Sequence, residues 1–85
     1  MLGKLYTVST PIGNLSDLSF RALEVLKSID YIICEDTRVT KKLLNHYNIK
    51  NTLLSYNVFN ENKLTGKYIK YLMDGKNMAL VSDAG

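Results

Sequence analysis

The sequence predicts an α/β fold built on a parallel sheet, with elements in the order β-α-β-α-β-α-β. Two observations carry this. Four short apolar runs, each partly β-branched or aromatic, alternate with three stretches whose apolar residues recur at helical spacing. Each apolar run also leads into a polar turn, as expected where parallel strands deliver the chain to one edge of a sheet. The strand candidates are residues 4–8, 31–34, 53–56 and 78–81, and the helix candidates are 18–28, 39–47 and 61–73.

The first strand runs into "STPIGN", which holds the only proline of the chain. Pro11 fixes its own φ and biases Thr10 toward an extended shape. Gly13 can let a ligand approach the backbone closely. In the first helix Leu18, Ala22, Val25, Leu26 and Ile29 share a face, and Ser16 or Asp17 is placed to cap it. Strand two, "YIIC", is followed by "EDTR". Asp36 and Thr37 sit where a cap for helix two is expected, and Glu35 can pair locally with Arg38. Helix two turns Val39, Leu43, Leu44 and Tyr47 to one side. The third strand leads into "NVFNE", where Asn60 can cap a helix carrying Leu64, Tyr68, Ile69 and Leu72 inward. Gly75 stands where a helix end wants a left-handed residue. The fourth strand ends on "SDAG".

The 85 residues allow one small domain. A chain of this size buries only roughly 60–65% of its unfolded surface, so its stability rests on a small core. With 46% hydrophobic and 22% charged residues, the composition is globular and not that of a disordered tail. The net charge of +3 is compatible with an anionic partner such as RNA. A single cysteine, Cys34, excludes an internal disulfide and fits a reducing compartment. The first apolar run is too short for a signal peptide, and nothing approaches the roughly 20 apolar residues of a membrane span. A cytoplasmic location without membrane contact is the expectation.

If the strands are parallel, the four polar turns gather at one edge: "STPIGN", "EDTR", "NVFNE" and "SDAG". That edge is where open α/β sheets bind ligands. The same turns also read as tight connections and helix caps. Several other chemistries are excluded. No GxGxxG follows the first strand. "TGK" at residues 65–67 lacks the earlier glycine of a phosphate loop and lies within a helical pattern. No group of Cys and His has metal-ligand spacing, so no metal is expected. His46 reads as a residue near a helix C-terminus, where the dipole suits it. Cys34 reads as a small core residue. Lys41, Lys42, Lys63, Lys67 and Lys70 read as solvated helix faces.

The motifs "TPIGNLSD", "RALEVL", "EDTR", the "NE" of Asn60-Glu61 and "ALVSDAG", in this order, resemble the N-terminal region of the ribosomal RNA small-subunit methyltransferase I family. That family belongs to the tetrapyrrole-methylase-like, or class III, methyltransferases. The resemblance covers essentially the whole chain. It implies most of the N-terminal domain of a tetrapyrrole methylase-like fold, residues 1–85, truncated and without its C-terminal domain. It implies S-adenosyl-L-methionine as the methyl donor. It further implies methylation of a cytidine ribose 2′-hydroxyl in the decoding region of small-subunit rRNA, by a cytoplasmic, homodimeric enzyme. Pro11, Ile12, Gly13 and Asn14 would line the donor cleft, with Ser82, Asp83, Ala84 and Gly85 as its second wall. Asp36, Arg38, Asn60 and Glu61 would lie nearer the substrate. Glu35 or Asp83 would take the hydroxyl proton. A histidine that the family often carries after the third strand is replaced here by Asn57, so its role does not transfer. The 85-residue chain alone is expected to be inactive. Two alternatives stand beside this reading: a non-catalytic module that binds RNA or self-associates, and a methyltransferase acting on a tetrapyrrole or another small molecule.

Overall fold

The computed structural model describes residues 2–10, 15–56 and 61–83, with the backbone alone described at 15, 61–65 and 83. It contains strands β1 (Leu5–Thr10), β2 (Tyr31–Cys34), β3 (Thr52–Ser55) and β4 (Met78–Asp83). Between them lie helices α1 (Phe20–Ser28), α2 (Thr37–His46) and α3 (Glu61–Met73), and a 3-10 turn at Leu15–Asp17 precedes α1. The α/β order and the parallel sheet follow the sequence expectation. The spatial order, β1-β4-β2-β3, could not be read from the sequence. β4 slots between β1 and β2, pairing Leu5 with Met78 through Thr10 with Asp83 on one side. On its other side Tyr31 pairs with Met78 through Cys34 with Val81.

This insertion buries the middle of the sheet on both faces. Side chains alternate along a strand, so Val8, Ile32, Cys34, Ala79 and Val81 point to one face. There they pack with Leu26 of α1 and Leu44 of α2. Ile33 and Met78 point to the other face and meet Tyr68, with Tyr71 and Leu72 of α3 against them. The chain steps outward from β1 to β2 to β3 and then returns to β4. Right-handed crossovers therefore put α1 and α2 on one side and α3 on the other.

Asparagine side chains and helix ends close the opposite edge, where the strands begin. Asn77 Oδ1 accepts from the Lys4 amide at 2.8 Å. The Asn77 backbone N–H donates to Asp30 Oδ2 at 2.8 Å. Asn51 Nδ2 donates to the carbonyls of Leu26 and Ile29, each at 3.0 Å, and so satisfies the end of α1. At Gly3 a Cβ would lie 1.8 Å from the Lys76 carbonyl oxygen. Only glycine permits that approach, and the Gly3 amide uses it to donate to Leu72 O at 2.7 Å. Gly75 takes the left-handed φ expected of it, 87°. Asn48 does the same for α2 at φ 57°, with the Ile49 amide reaching back to Leu44 O at 2.9 Å. Asparagine tolerates this region because its short polar side chain bonds locally.

Several boundaries shift. The cap of α1 is Ser19, whose Oγ accepts from the Ala22 amide at 3.1 Å, in place of Ser16 or Asp17. Those two residues form the 3-10 turn instead. α2 begins at Thr37, two residues earlier than expected, because Asp36 itself is the cap. α3 spans the residues expected of it, although its expected cap, Asn60, lies outside the described residues. Val39 and Ile69, each expected to face inward, are both 50% exposed.

Leu26 is fully buried, whereas Phe20, on the same helix, is 75% exposed. Leu26→Ala should lower the unfolding free energy by about 2–5 kcal/mol, and Phe20→Ala should stay within about 0.5 kcal/mol of the parent. Denaturant titration of both variants distinguishes them, and equal losses would contradict this core.

Candidate functional site

A cavity of about 490 Å³ opens at the carboxyl ends of β2, β3 and β4. Its lining combines Cys34, Glu35 and Asp36 from the end of β2, Val39 and Thr40 from α2, Tyr56 beyond β3, and Leu80, Val81 and Ser82 from β4. Its volume lies within the roughly 300–1,000 Å³ of small-molecule sites. The cavity sits where β2 sends the chain to one face of the sheet and its neighbour β3 sends it to the other. Such a divergence leaves a crevice between the outgoing segments, and open α/β sheets bind ligands there.

Each wall has a local cause. The Tyr56 amide donates to the Cys34 carbonyl at 2.8 Å, which carries the β2–β3 pairing one residue further and sets the tyrosine at the rim. Thr10 is buried, and its Oγ1 donates to the Ser82 carbonyl at 3.2 Å. That bond fixes the ends of β1 and β4 side by side where "TPIGN" begins. On the α3 side, the Tyr68 hydroxyl donates to the Ser55 carbonyl and holds the end of β3.

The ionisable groups divide sharply. Asp36 caps α2, accepting from the Arg38 amide at 3.0 Å. The Arg38 guanidinium folds back on the same carboxylate, with Nε 3.4 Å from Oδ1. These bonds from Arg38 hold the Asp36 carboxyl below the usual carboxylate range. Cys34 has the opposite fate: burial pushes its thiol above its ordinary value, against a hydrogen bond with Thr40 that favours the thiolate. A buried protonated thiol is a wall and not a nucleophile.

Of the residues singled out from sequence, Glu35, Asp36 and Ser82 come together around this cavity. Asp83 belongs to β4 and is paired with Thr10, and Glu61 opens α3. Pro11, Ile12, Gly13, Asn14, Asn60, Ala84 and Gly85 lie outside the described residues, as does Asn57. Arg38 does not line the cavity. Its side chain is 88% exposed and tied to Asp36, so the local pair is Asp36–Arg38 and not the expected Glu35–Arg38. Sequence reasoning missed Tyr56, Thr40 and Val39 as lining residues. Val39 carried the one available signal, since an apolar residue in the first turn of α2 lies beside the strand ends. Among the described residues no cluster of His, Cys, Asp and Glu could hold a metal ion, and no helix is long and apolar enough to cross a membrane.

The family model described as Tetrapyrrole (Corrin/Porphyrin) Methylases matches residues 4–85. The chain is similar to proteins named ribosomal RNA small subunit methyltransferase I. It is 54% identical to that of Mycoplasmopsis pulmonis over 84 residues, which are 99% of this chain and 38% of the relative. Identity to the Bacillus subtilis protein is 55%, over 99% of this chain and 29% of the relative. For Thermotoga maritima it is 51%, over 99% and 38%. The chain thus spans about a third of the length of the curated relatives it matches.

Two measurements check the electrostatics. A carboxyl with a lowered folded pKa contributes stability above its unfolded value, near 3.8, and loses it as pH falls through the folded value. Asp36→Ala should therefore melt below the parent at neutral pH, with the gap closing at strongly acid pH. A gap of constant size would show that the charge of Asp36 contributes nothing. Cys34 should react with a thiol reagent at pH 8 only after denaturant is added, and prompt labelling of the native chain would contradict its burial.

Proposed function

Because the chain belongs to the tetrapyrrole (corrin/porphyrin) methylase family, we propose that the protein it forms part of methylates small-subunit ribosomal RNA with S-adenosyl-L-methionine. One observation carries the choice of substrate: identity of 51–55% to relatives bearing that name, spread over nearly the whole chain. The cleft at the strand ends supports the choice of site. In this reading residues 1–85 are the N-terminal α/β domain and supply one wall of the donor site. A C-terminal domain supplies the facing wall, so the chain alone is inactive. The enzyme is cytoplasmic and acts as a homodimer on the small subunit or its rRNA. Its target is a cytidine 2′-hydroxyl in the decoding region.

The residues present suit such a donor. The cavity offers the Ser82 hydroxyl, the Glu35 carboxylate, and apolar surface from Val39, Tyr56 and Leu80. The hydroxyl could bind a ribose hydroxyl, the carboxylate would favour a cationic sulfonium, and the apolar wall would take a base. When bound, the donor supplies a methyl group on a positively charged sulfur, which is already electrophilic. The first task of this chain is then alignment. Pro11 to Asn14 and Ser82 to Gly85 are the residues assigned to holding the donor. The Thr10–Ser82 bond ties the described ends of β1 and β4 together, and fixed geometry is worth several orders of magnitude in rate. The second task is to take the hydroxyl proton, which falls to Glu35 or Asp83. Glu35 follows directly on β2, and Asp83 is the last residue of β4. Asp36 is engaged by Arg38 and orients the substrate side of the mouth, together with Arg38, Asn60 and Glu61.

The family description leaves a tetrapyrrole as the second substrate class, and one experiment separates the two. The full-length protein is incubated with methyl-labelled donor and unmodified small subunits, and in parallel with a tetrapyrrole. Label should enter the rRNA in an alkali-stable dinucleotide, the mark of a 2′-O-methyl group. Label in the tetrapyrrole alone would refute the rRNA reading. Glu35→Gln or Asp83→Asn, whichever removes the proton acceptor, should slow transfer by about 10²–10⁴-fold. Parent rates for both variants, with unchanged melting, would remove both residues from the mechanism.

A further inference from the structure

The charge of this protein is unevenly placed. Between Thr37 and Asn60 the sequence holds Arg38, Lys41, Lys42 and Lys50 and not a single Asp or Glu. The structure gathers residues 37–55 of that stretch on one side of the sheet as α2, its C-terminal turn and the edge strand β3. On α2 the positions 38, 41, 42 and 45 follow the i, i+3, i+4, i+7 spacing of one helix face. All four residues are exposed, while Thr40, Leu43 and Leu44 are buried beneath them. Lys50 continues the stripe. It shares with Lys41 a groove of about 350 Å³ whose other walls are Leu44, Ile49, Leu53, Asn45 and Asn51. α3 differs: its exposed Lys67 and Lys70 lie between Glu61 at its start and Asp74 just past its end, and Lys67 rests over the Tyr71 ring at 5.9 Å.

We infer that the basic face of α2, from Arg38 through Lys41 and Lys42 to Lys50, is the surface on which the phosphate backbone of the RNA substrate docks. The chemistry is charge complementarity. Of these cations Arg38 is partly neutralised by Asp36, and the lysines that follow, with no carboxylate between them in the sequence, attract a polyanion and gain from the release of its counterions. Its position adds direction. α2 starts at the mouth of the cleft, where Asp36 and Val39 line the cavity, and its ten residues extend away for about 15 Å. A strand lying along this face would reach the cleft at its Arg38 end and leave the face past Lys50. The groove between Lys41 and Lys50 has cations at either side and the half-buried Leu53 on its apolar wall, which suits a nucleotide whose phosphate is held and whose base rests beside Leu53. The lysines of α2 are thus more than the solvated helix face that the sequence suggested. The inference depends on the functional reading above only for which RNA is bound.

The test uses the full-length protein, its triple variant Lys41→Gln/Lys42→Gln/Lys50→Gln, and the control Lys67→Gln/Lys70→Gln from the opposite face. Each is titrated with a fluorescent single-stranded oligonucleotide of small-subunit rRNA sequence, from roughly 50 to 200 mM salt. Each lost single-strand phosphate contact lowers the salt slope by about 0.7, so the triple variant should lose about two units of slope. Its affinity at intermediate salt should fall about 10–100-fold, and the control should keep the parent slope to within about half a unit. Melting curves check that all three proteins are equally folded. Parent-like slope in the triple variant, or equal losses in both variants, would overturn the inference. Transfer of labelled methyl to small-subunit rRNA by the parent tests the functional reading separately. A parent that binds RNA with the expected slope pattern but methylates none would sink that reading and leave the docking face standing.

Discussion

The structure depends on a single pairing between the two ends of the chain. β4 is last in sequence yet lies second in the sheet, hydrogen-bonded to β1 along six residues and to β2 along four. Met78 and Ala79 are fully buried as a result, one on each face. Remove β4 and the sheet separates into β1 alone and the β2–β3 pair. Both cores also divide, since each includes residues of β4. The cost of bringing residues more than 70 positions apart is loop entropy, which grows only slowly with length. Buried apolar area on both faces offsets it.

The same insertion creates the cleft. Because the chain must return across β2 to reach the place of β4, α3 crosses on the opposite face from α1 and α2. The exits of β2 and β3 therefore diverge, and the space between them cannot be filled by either helix. Glu35 and Asp36 reach that space from one strand, Ser82 from another, and Tyr56 borders it. The polar edge of the sheet is thus open where ligands can enter. The opposite edge is closed by Asn77, Asn51 and the tight approach at Gly3.

Charge follows the architecture too. The carboxylates at the mouth stand at the strand ends, while α2 carries cations along its outer face and leaves the buried face to Thr40, Leu43 and Leu44. Asp36 joins the two regions. It terminates the backbone of α2 as its cap and neutralises part of Arg38, the first cation of the stripe. A negative entrance suits the proposed cationic donor, and the positive flank beyond the Asp36–Arg38 pair suits the proposed phosphate partner.

The sequence by itself determined the elements and their order. Those features are local: apolar period, caps and helix-ending residues act over a few neighbours, so "YIIC" reads as a strand and residues 61–73 as a helix without knowledge of the rest. The motifs gave the family in the same way, because they are contiguous. Local signals also misled where two of them competed. Ser16 and Asp17 looked like the cap of α1, but Ser19 stands closer to its first turn, and Val39 followed the helical period yet faces the cleft. Strand order, the faces taken by the helices and the lining of the cavity were decided only by the tertiary structure. They rest on pairing between residues far apart in the chain, and no pattern within a short window distinguishes a strand that joins an edge from one that enters the centre. Gly3 shows the same limit in one residue. Its need for glycine comes from the carbonyl of Lys76, which sequence distance hides and the folded sheet brings into contact.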